Sequence, residues 1–309
     1  MLTYGPSAKH TRYFGQWLVP DEKTDKPVMF LTICSSIVKG KPSNRTPGDD
    51  GTYNAPCKTW WADRIWMVSH SGDGKTPGEW GTPELALTIG GRGEEALVGD
   101  PSVVRWKGKW HMFYEGTDCP DGNQNLIFHA TAADLHGPWT KQGRVDGLLG
   151  DVRGSGLSWP TVLIHKGDLY LYYTDGSARL LCARASSADA SRFEQILEPG
   201  SQDSKPLVVV PGEWVNRAQV FSKDGRFVLV YDADRRTRIK ASTASSPFSF
   251  PKGEVLHAAA SGNDWETLRI GLPCHYRTNG EDRIYYTGEA EDPKDGVLGG
   301  GLGVLIPNL

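Results

Sequence analysis

Apolar and polar positions along the chain fall into a recurring pattern. An apolar strand is followed by a short polar turn, an aromatic-rich strand and an acidic or glycine-containing loop. The stretch GDPSVVRWKGKWHMFYEG (99–116) shows it most clearly: Ser102 to Trp106, a Lys107-Gly108-Lys109 turn, then Trp110 to Tyr114, dense in strand-favouring residues. Both ends of such a hairpin lie at the same edge of a sheet, so Asp100 and Glu115 are expected to share one edge. The pattern returns in APCKTWWADRIWMVSHSGDG from Ala55, WPTVLIHKGDLYLYYTDG from Trp159, RAQVFSKDGRFVLVYDAD from Arg217 and GLPCHYRTNGEDRIYYTGEAED from Gly271.

The second strands of these units begin near Ile65, Trp110, Leu169, Phe227 and Ile284. That spacing, roughly 45–60 residues, suits four-stranded propeller blades. A third strand follows several of the hairpins, as in NLIFHATAADLHGPWTKQG, RLLCARASSADASRFEQI and RIKASTASSPFSFPKG. Helical periodicity is nearly absent, with one short turn at most in GEWGTPELALT. The expected fold is therefore all-β: a five-bladed β-propeller of four-stranded antiparallel blades. An N-terminal strand is expected to complete the last blade beside GLGVLIPNL, which would leave no long open edge. A six-bladed ring, with residues 1–50 as a degenerate blade, is the alternative. No linker interrupts the repeats, so residues 1–309 are read as a single domain.

Composition narrows the function classes. With 309 residues and a net charge of −3, the chain offers no electrostatic footprint for nucleic acid, and no basic run suits an anionic membrane surface. No apolar run reaches the length of about 18 residues that a membrane span needs. The N-terminal residues lack the apolar core of a signal peptide, which points to the cytoplasm, or to a secreted or periplasmic protein whose leader has been removed. Five scattered cysteines with no CxxC pair favour neither zinc nor a disulfide framework.

A propeller gathers the starts of its first strands and the ends of its second strands on one face around the axis. That face is expected to hold Asn54, Asp100, Ser158, Trp159, Arg217 and Arg269 from first strands, and His70, Glu115, Asp175, Asp232 and Glu289 from second strands. Asp175 and Asp118 read as loop residues, and Asp232 and Asp234 alternate with Arg235 and Arg236 in a way that also fits a surface ion-pair cluster. Trp159 is placed to stack on a sugar ring. Arg217 and Arg269 together suit a carboxylate or sulfate.

The GDPSVV…GKWHMFYEG blade followed by HATAADLHGPWT resembles the five-bladed β-propeller glycoside hydrolases. These include the arabinanase and xylosidase group (glycoside hydrolase family 43), the invertase and levansucrase group and the anhydro-galactosidase group. The resemblance covers roughly residues 50–290 and implies axial carboxylates drawn from separate blades: a nucleophile or base, a tuning carboxylate and an acid. Against that pattern, the first unit reads NAP, with Ala55 in the acidic place, and the third reads SWP, with Ser158 where the acid would stand. Only Asp100 keeps an Asp-Pro motif. The expected activity is exo-acting hydrolysis of an oligosaccharide or glycoside, with an acidic sugar as one option, and with Asp100 as base or nucleophile. Glu115 and Asp151 are the expected acids, with Glu266, His70 and His275 behind them, and Asn54, His70, Trp159, Arg217, Asp232 and Arg269 are assigned to substrate binding. No cofactor is required. The PCH element at His275 is similar to a family 43 element near a channel ion, which raises a structural calcium in the central channel. A non-catalytic propeller that binds carbohydrate or protein is the second reading. Oligomeric state, sugar and linkage stay open.

Overall fold

The computed structural model describes residues 11–35, 37–38, 41–42, 63–72, 79–119, 123–200, 206–260, 264–291 and 298–307. They form five antiparallel sheets in a ring. The first blade contains β1 (Thr11–Pro20), β2 (Pro27–Ser35), β5 (Asp63–Ser69) and β6 (Glu84–Leu87); two short strands, β3 (Ile37–Val38) and β4 (Lys41–Pro42), pair with each other between β2 and β5. The second contains β7 (Leu97–Trp106), β8 (Lys109–Thr117), β9 (Leu126–Ala132) and β10 (Thr140–Arg144). The third runs through β11 (Ser158–His165), β12 (Asp168–Thr174), β13 (Leu180–Ala185) and β14 (Phe193–Gln195). The fourth runs through β15 (Ala218–Lys223), β16 (Arg226–Ala233), β17 (Arg238–Ala244) and β18 (Glu254–Ala258). The fifth has β19 (Arg269–Thr278), β20 (Glu281–Glu291) and β21 (Leu298–Leu305).

Four inner hairpins close on two-residue turns of the same chemistry. Lys107-Gly108, Lys166-Gly167, Asp224-Gly225 and Asn279-Gly280 all carry positive φ at both residues. That backbone twist matches the twist of the strands it joins, and a glycine at the second place adopts it without steric cost. The first blade lacks this signature. Its inner hairpin is joined by Asp21–Lys26, where the Asp21 carbonyl accepts the N–H of Asp25 at 2.7 Å. The unit read from Ala55 is therefore not an inner hairpin: its strand, β5, is the third of the first blade, behind β1 and β2.

Closure also differs from the expectation. The N-terminal strand β1 pairs with β2 and is the inner strand of its own blade, while β21 pairs only with β20 among the described residues. Among the described residues the ring is closed by packing of β1 against the fifth blade rather than by strand addition. The Gln16 amide donates to the Leu272 carbonyl at 2.7 Å and accepts the Thr287 hydroxyl at 2.9 Å. On the other side Trp17 donates to the Val103 carbonyl at 2.7 Å, tying β1 to the second blade.

The blades bury their aromatic and branched side chains against one another, including Phe30, Phe113, Phe128, Tyr114 and Phe193. Within this core His111 and His129 stack with Phe113, the Nδ1 of His111 lying 2.9 Å from Nε2 of His129. Burial pushes His111 below its ordinary range and His129 down to about 3. Once unfolded, both take up protons below about pH 6.5. The unfolded state then binds more protons, so this stability is full above that pH and lost as pH falls toward the folded-state values. Each histidine should lower the unfolding free energy by up to about 1.4 kcal/mol per pH unit in that window. Denaturant titrations of His129→Phe should show a shallower acid slope than the wild type; an identical slope contradicts neutral burial of His129.

Candidate active site

Each inner strand enters from the same face of the ring, called upper here, and four of the five do so through a bulge. The register breaks at Phe14/Trp17, Gly99/Ser102, Ser158/Thr161 and Gly271/Cys274. Each break holds a residue with positive φ: Gly15, Asp100, Trp159 and Leu272. In three of them a proline follows, which has no N–H to lose where the ladder is interrupted. A bulge re-aims its side chain, and here it turns Asp100 inward.

Asp100 is 2% exposed and Glu115 5%, and their carboxyls are hydrogen-bonded to each other. Nη1 of the fully buried Arg217 lies 3.4 Å from Oδ1 of Asp100, and its Nη2 donates to the Pro101 carbonyl at 2.9 Å. The Asp100 N–H donates to the Thr32 hydroxyl at 2.6 Å. Oε2 of Glu115 accepts the Trp159 N–H at 3.2 Å. Burial, followed by the charge and hydrogen bond of Asp100, raises Glu115 well above the usual carboxylate range. Burial raises Asp100 too, but Arg217 and the bond from Glu115 oppose it. These opposing influences favour the proton on Glu115 and the charge on Asp100, beside the Arg217 guanidinium.

Gly15 makes room for this arrangement, since a Cβ there would overlap Oδ1 of Asp100. Its φ of +63° is unfavourable for other residues as well. Gly15→Ala should cost about 1–3 kcal/mol in thermal or denaturant unfolding; wild-type stability in that variant contradicts the close approach.

The remaining candidates separate clearly. Asp232 is fully buried and accepts the N–H groups of Asn216, Arg217 and Leu272 at 3.0, 2.7 and 2.9 Å, so it ties the fourth and fifth blades together at the upper face. Trp159 is half-buried beside Glu115. Arg269 is half-exposed at the rim, its Nη1 3.8 Å from Glu289. Asp151 is not part of the pair. It sits in an open depression of about 590 Å³ on the third blade with Leu149, Ser177 and Pro206. Arg153 and Ser177 bond its carboxylate and hold it below the usual range, the opposite of what an acid needs. Asp175 caps its own loop, accepting the N–H groups of Ser177 and Arg179 and the Arg179 guanidinium.

His70 lies on the opposite face, because β5 runs downward as a third strand. Its N–H donates to Pro27, and its ring meets Trp80 edge-on at 4.7 Å. Glu266 is buried and bonded to His257 and Tyr286. Asn54 and Ala55 lie outside the described residues. His275 stacks on Phe221 at 3.5 Å and bonds Asp282 at 2.8 Å, and no group of three metal-ligating side chains occurs among the described residues. These residues do not fit the expected calcium.

Neither a family profile nor a curated protein matches the sequence. Solved structures do. A family 117 glycoside hydrolase from the marine bacterium Zobellia galactanivorans is 16% identical with a TM-score of 0.66, over 98% of this chain and 86% of that one. An α-L-arabinofuranosidase from Lactobacillus brevis is 13% identical with a TM-score of 0.63, over 96% and 91%. A family 43 β-xylosidase/α-arabinofuranosidase from a compost metagenome is 16% identical with a TM-score of 0.60, over 97% and 93%. The fold is that of the five-bladed glycoside hydrolases.

Within this fold, two charged groups of the upper face had no clear signal in the sequence. Asp63 opens β5, is buried, and its charge contributes to raising Glu115. Arg236, read from sequence as part of a surface cluster, turns inward and its charge reaches both Asp100 and Asp232. Its signal is the Asp-Ala-Asp-Arg-Arg run at the end of β16, which is legible only once the turn's backbone is known.

Proposed function

We propose that this protein is a glycoside hydrolase in which Glu115 is the general acid and Asp100 keeps the proton on it. The observation that carries the reading is the hydrogen-bonded, buried Asp100–Glu115 pair with Arg217 as counter-ion. A glycosidase acid must stay protonated near neutrality, which burial and a neighbouring negative charge achieve together. Opposed carboxyls stand about 5–5.5 Å apart in retaining enzymes and about 6.5–9.5 Å in inverting ones. The hydrogen bond between these two carboxyls assigns Asp100 to tuning the acid rather than to acting across the sugar from it.

In this reading Glu115 passes its proton to the glycosidic oxygen as the bond to the anomeric carbon breaks. The bonding pair leaves with the alcohol. Water adds to the anomeric carbon, and its surplus proton restores the carboxyl pair. Trp159, held beside Glu115, offers an apolar face to the ring. A pair this deep suits the end of an oligosaccharide, hence exo action, and the rim arginines suit an acidic sugar.

Activity on a panel of aryl glycosides and oligosaccharides tests this, with Asp100→Asn as comparison. Release of sugar by the wild type and a basic limb shifted to lower pH in Asp100→Asn support it, since removing the neighbouring charge lowers the acid's affinity for its proton. No release from any substrate, or an unmoved limb, overturns it.

A further inference from the structure

The turn after β16 contains three successive residues, Asp234, Arg235 and Arg236, with φ of 51°, 57° and 65°. None is glycine. Left-handed backbone is ordinarily visited by single residues, because Cβ crowds the following carbonyl. A run of three persists only where surrounding bonds impose it, and such strain collects at functional sites. Here the Thr237 N–H donates to the Ala233 carbonyl at 3.2 Å, and the Thr237 hydroxyl donates to the Asp234 carbonyl at 2.8 Å. From the next blade, the Ile270 N–H donates to the Arg236 carbonyl at 2.8 Å.

The consequence is a division of the two arginines. Arg235 is exposed, while the Arg236 side chain is only 13% exposed and lies over Gly271. A Cβ at Gly271 would come within 3.1 Å of Nε of Arg236 and 2.5 Å of Oδ2 of Asp232. Nη2 of Arg236 is 2.9 Å from Oε1 of Glu289, yet among the described residues neither Nη2 nor Nε makes a hydrogen bond. Arg269 stands on the other side of Glu289, half-exposed, at 3.8 Å. Two guanidinium groups thus flank one carboxylate at the upper rim, and one of them has buried donors that make no hydrogen bond among the described residues. Arg217 cannot share this task, being engaged by Asp100 and Pro101.

We propose that Arg236, with Arg269 beside it, receives an oxyanion carried by the sugar, either a carboxylate or a sulfate ester. Nε and Nη2 supply the paired donors such a group takes from arginine, and the strained turn aims them. Glu289 occupies part of that place and competes with the ligand. The inference rests on the hydrolase reading for its sugar, but its test reads binding, so the two fail separately.

The probes are free glucuronate and galacturonate, each against its neutral parent sugar, and a sulfated hexose, measured by calorimetry on the whole chain. The wild type should bind at least one anionic sugar about tenfold or more tighter than the neutral parent, as charge-assisted hydrogen bonds allow. Arg236→Gln should remove that preference. Arg235→Gln, one residue away in the same turn, should retain it. Glu289→Gln should strengthen anion binding, and it supplies an independent arm if Arg236→Gln does not fold. A uronate preferred over the sulfated hexose identifies a uronide as substrate, and the reverse identifies a sulfated sugar. The proposal is overturned if no anionic sugar is preferred, if folded Arg236→Gln keeps the preference, or if Glu289→Gln leaves anion binding unchanged. Arg236-dependent uronate binding without any glycoside cleavage would sustain this inference and remove the hydrolase reading.

Discussion

Replacing Glu115 by glutamine will slow hydrolysis of an oligosaccharide by about 10²–10⁴-fold, the usual contribution of a positioned acid. Dinitrophenyl glycosides of the same sugar, whose leaving group needs no proton, will lose about tenfold or less. The contrast follows from where the proton sits. Burial and Asp100 hold it on Glu115, and the Trp159 N–H, bonded to Oε2, fixes the carboxyl's position. Glutamine keeps the shape and the bond from Trp159 but has no proton to give. Rates for a series of leaving groups check this. An equal loss across the series would mean that Glu115 positions the sugar without donating a proton.

Arg217→Met will destabilise the fold by about 3–5 kcal/mol, the cost of leaving a buried charge without its partner. Arg217 is fully buried, and among the described residues its guanidinium bonds Oδ1 of Asp100 and the carbonyl of Pro101. Removing the guanidinium leaves the Asp100 carboxylate facing a raised carboxyl, with Arg236 as the remaining described cation whose charge reaches it. The double variant Asp100→Asn with Arg217→Met should recover part of the loss, because a neutral pair has no unpaired charge to bury. Denaturant unfolding of the single and double variants measures it. A single variant within about 1 kcal/mol of wild type would show that the ion pair is not what holds Asp100 in place.

The propeller was legible because four inner hairpins advertise themselves. Each places an x-Gly turn between an apolar and an aromatic strand, and both turn residues take the positive φ that such turns require. The first blade does not: Asp21–Lys26 replaces the two-residue turn, so the eye moves on to β5 and assigns it to the wrong place in its blade. His70 was carried to the wrong face by that same shift. Asp100 and Glu115 were legible as neighbours because hairpin geometry alone brings the two ends together. Their mutual hydrogen bond was not, since it depends on the bulge at Asp100 and the space left by Gly15, two features of distant segments. Asp151 shows the reverse case. A loop carboxylate near a strand mouth looks available in sequence, yet the arginine two residues on has already engaged it. Arg236 stayed hidden because charge alternation in a polar turn gives no hint that the backbone is left-handed for three residues.

The proposed hydrolysis depends on one proton being held on Glu115, buried beside Asp100. The sharpest check is an NMR titration of isotopically labelled glutamate carboxyls, with Glu115→Gln to assign the resonance. One glutamate, missing in that variant, should titrate well above all the others and move down toward them in Asp100→Asn. If the Glu115 signal instead ionises together with the surface glutamates, no acid is held ready and the proposed chemistry is wrong.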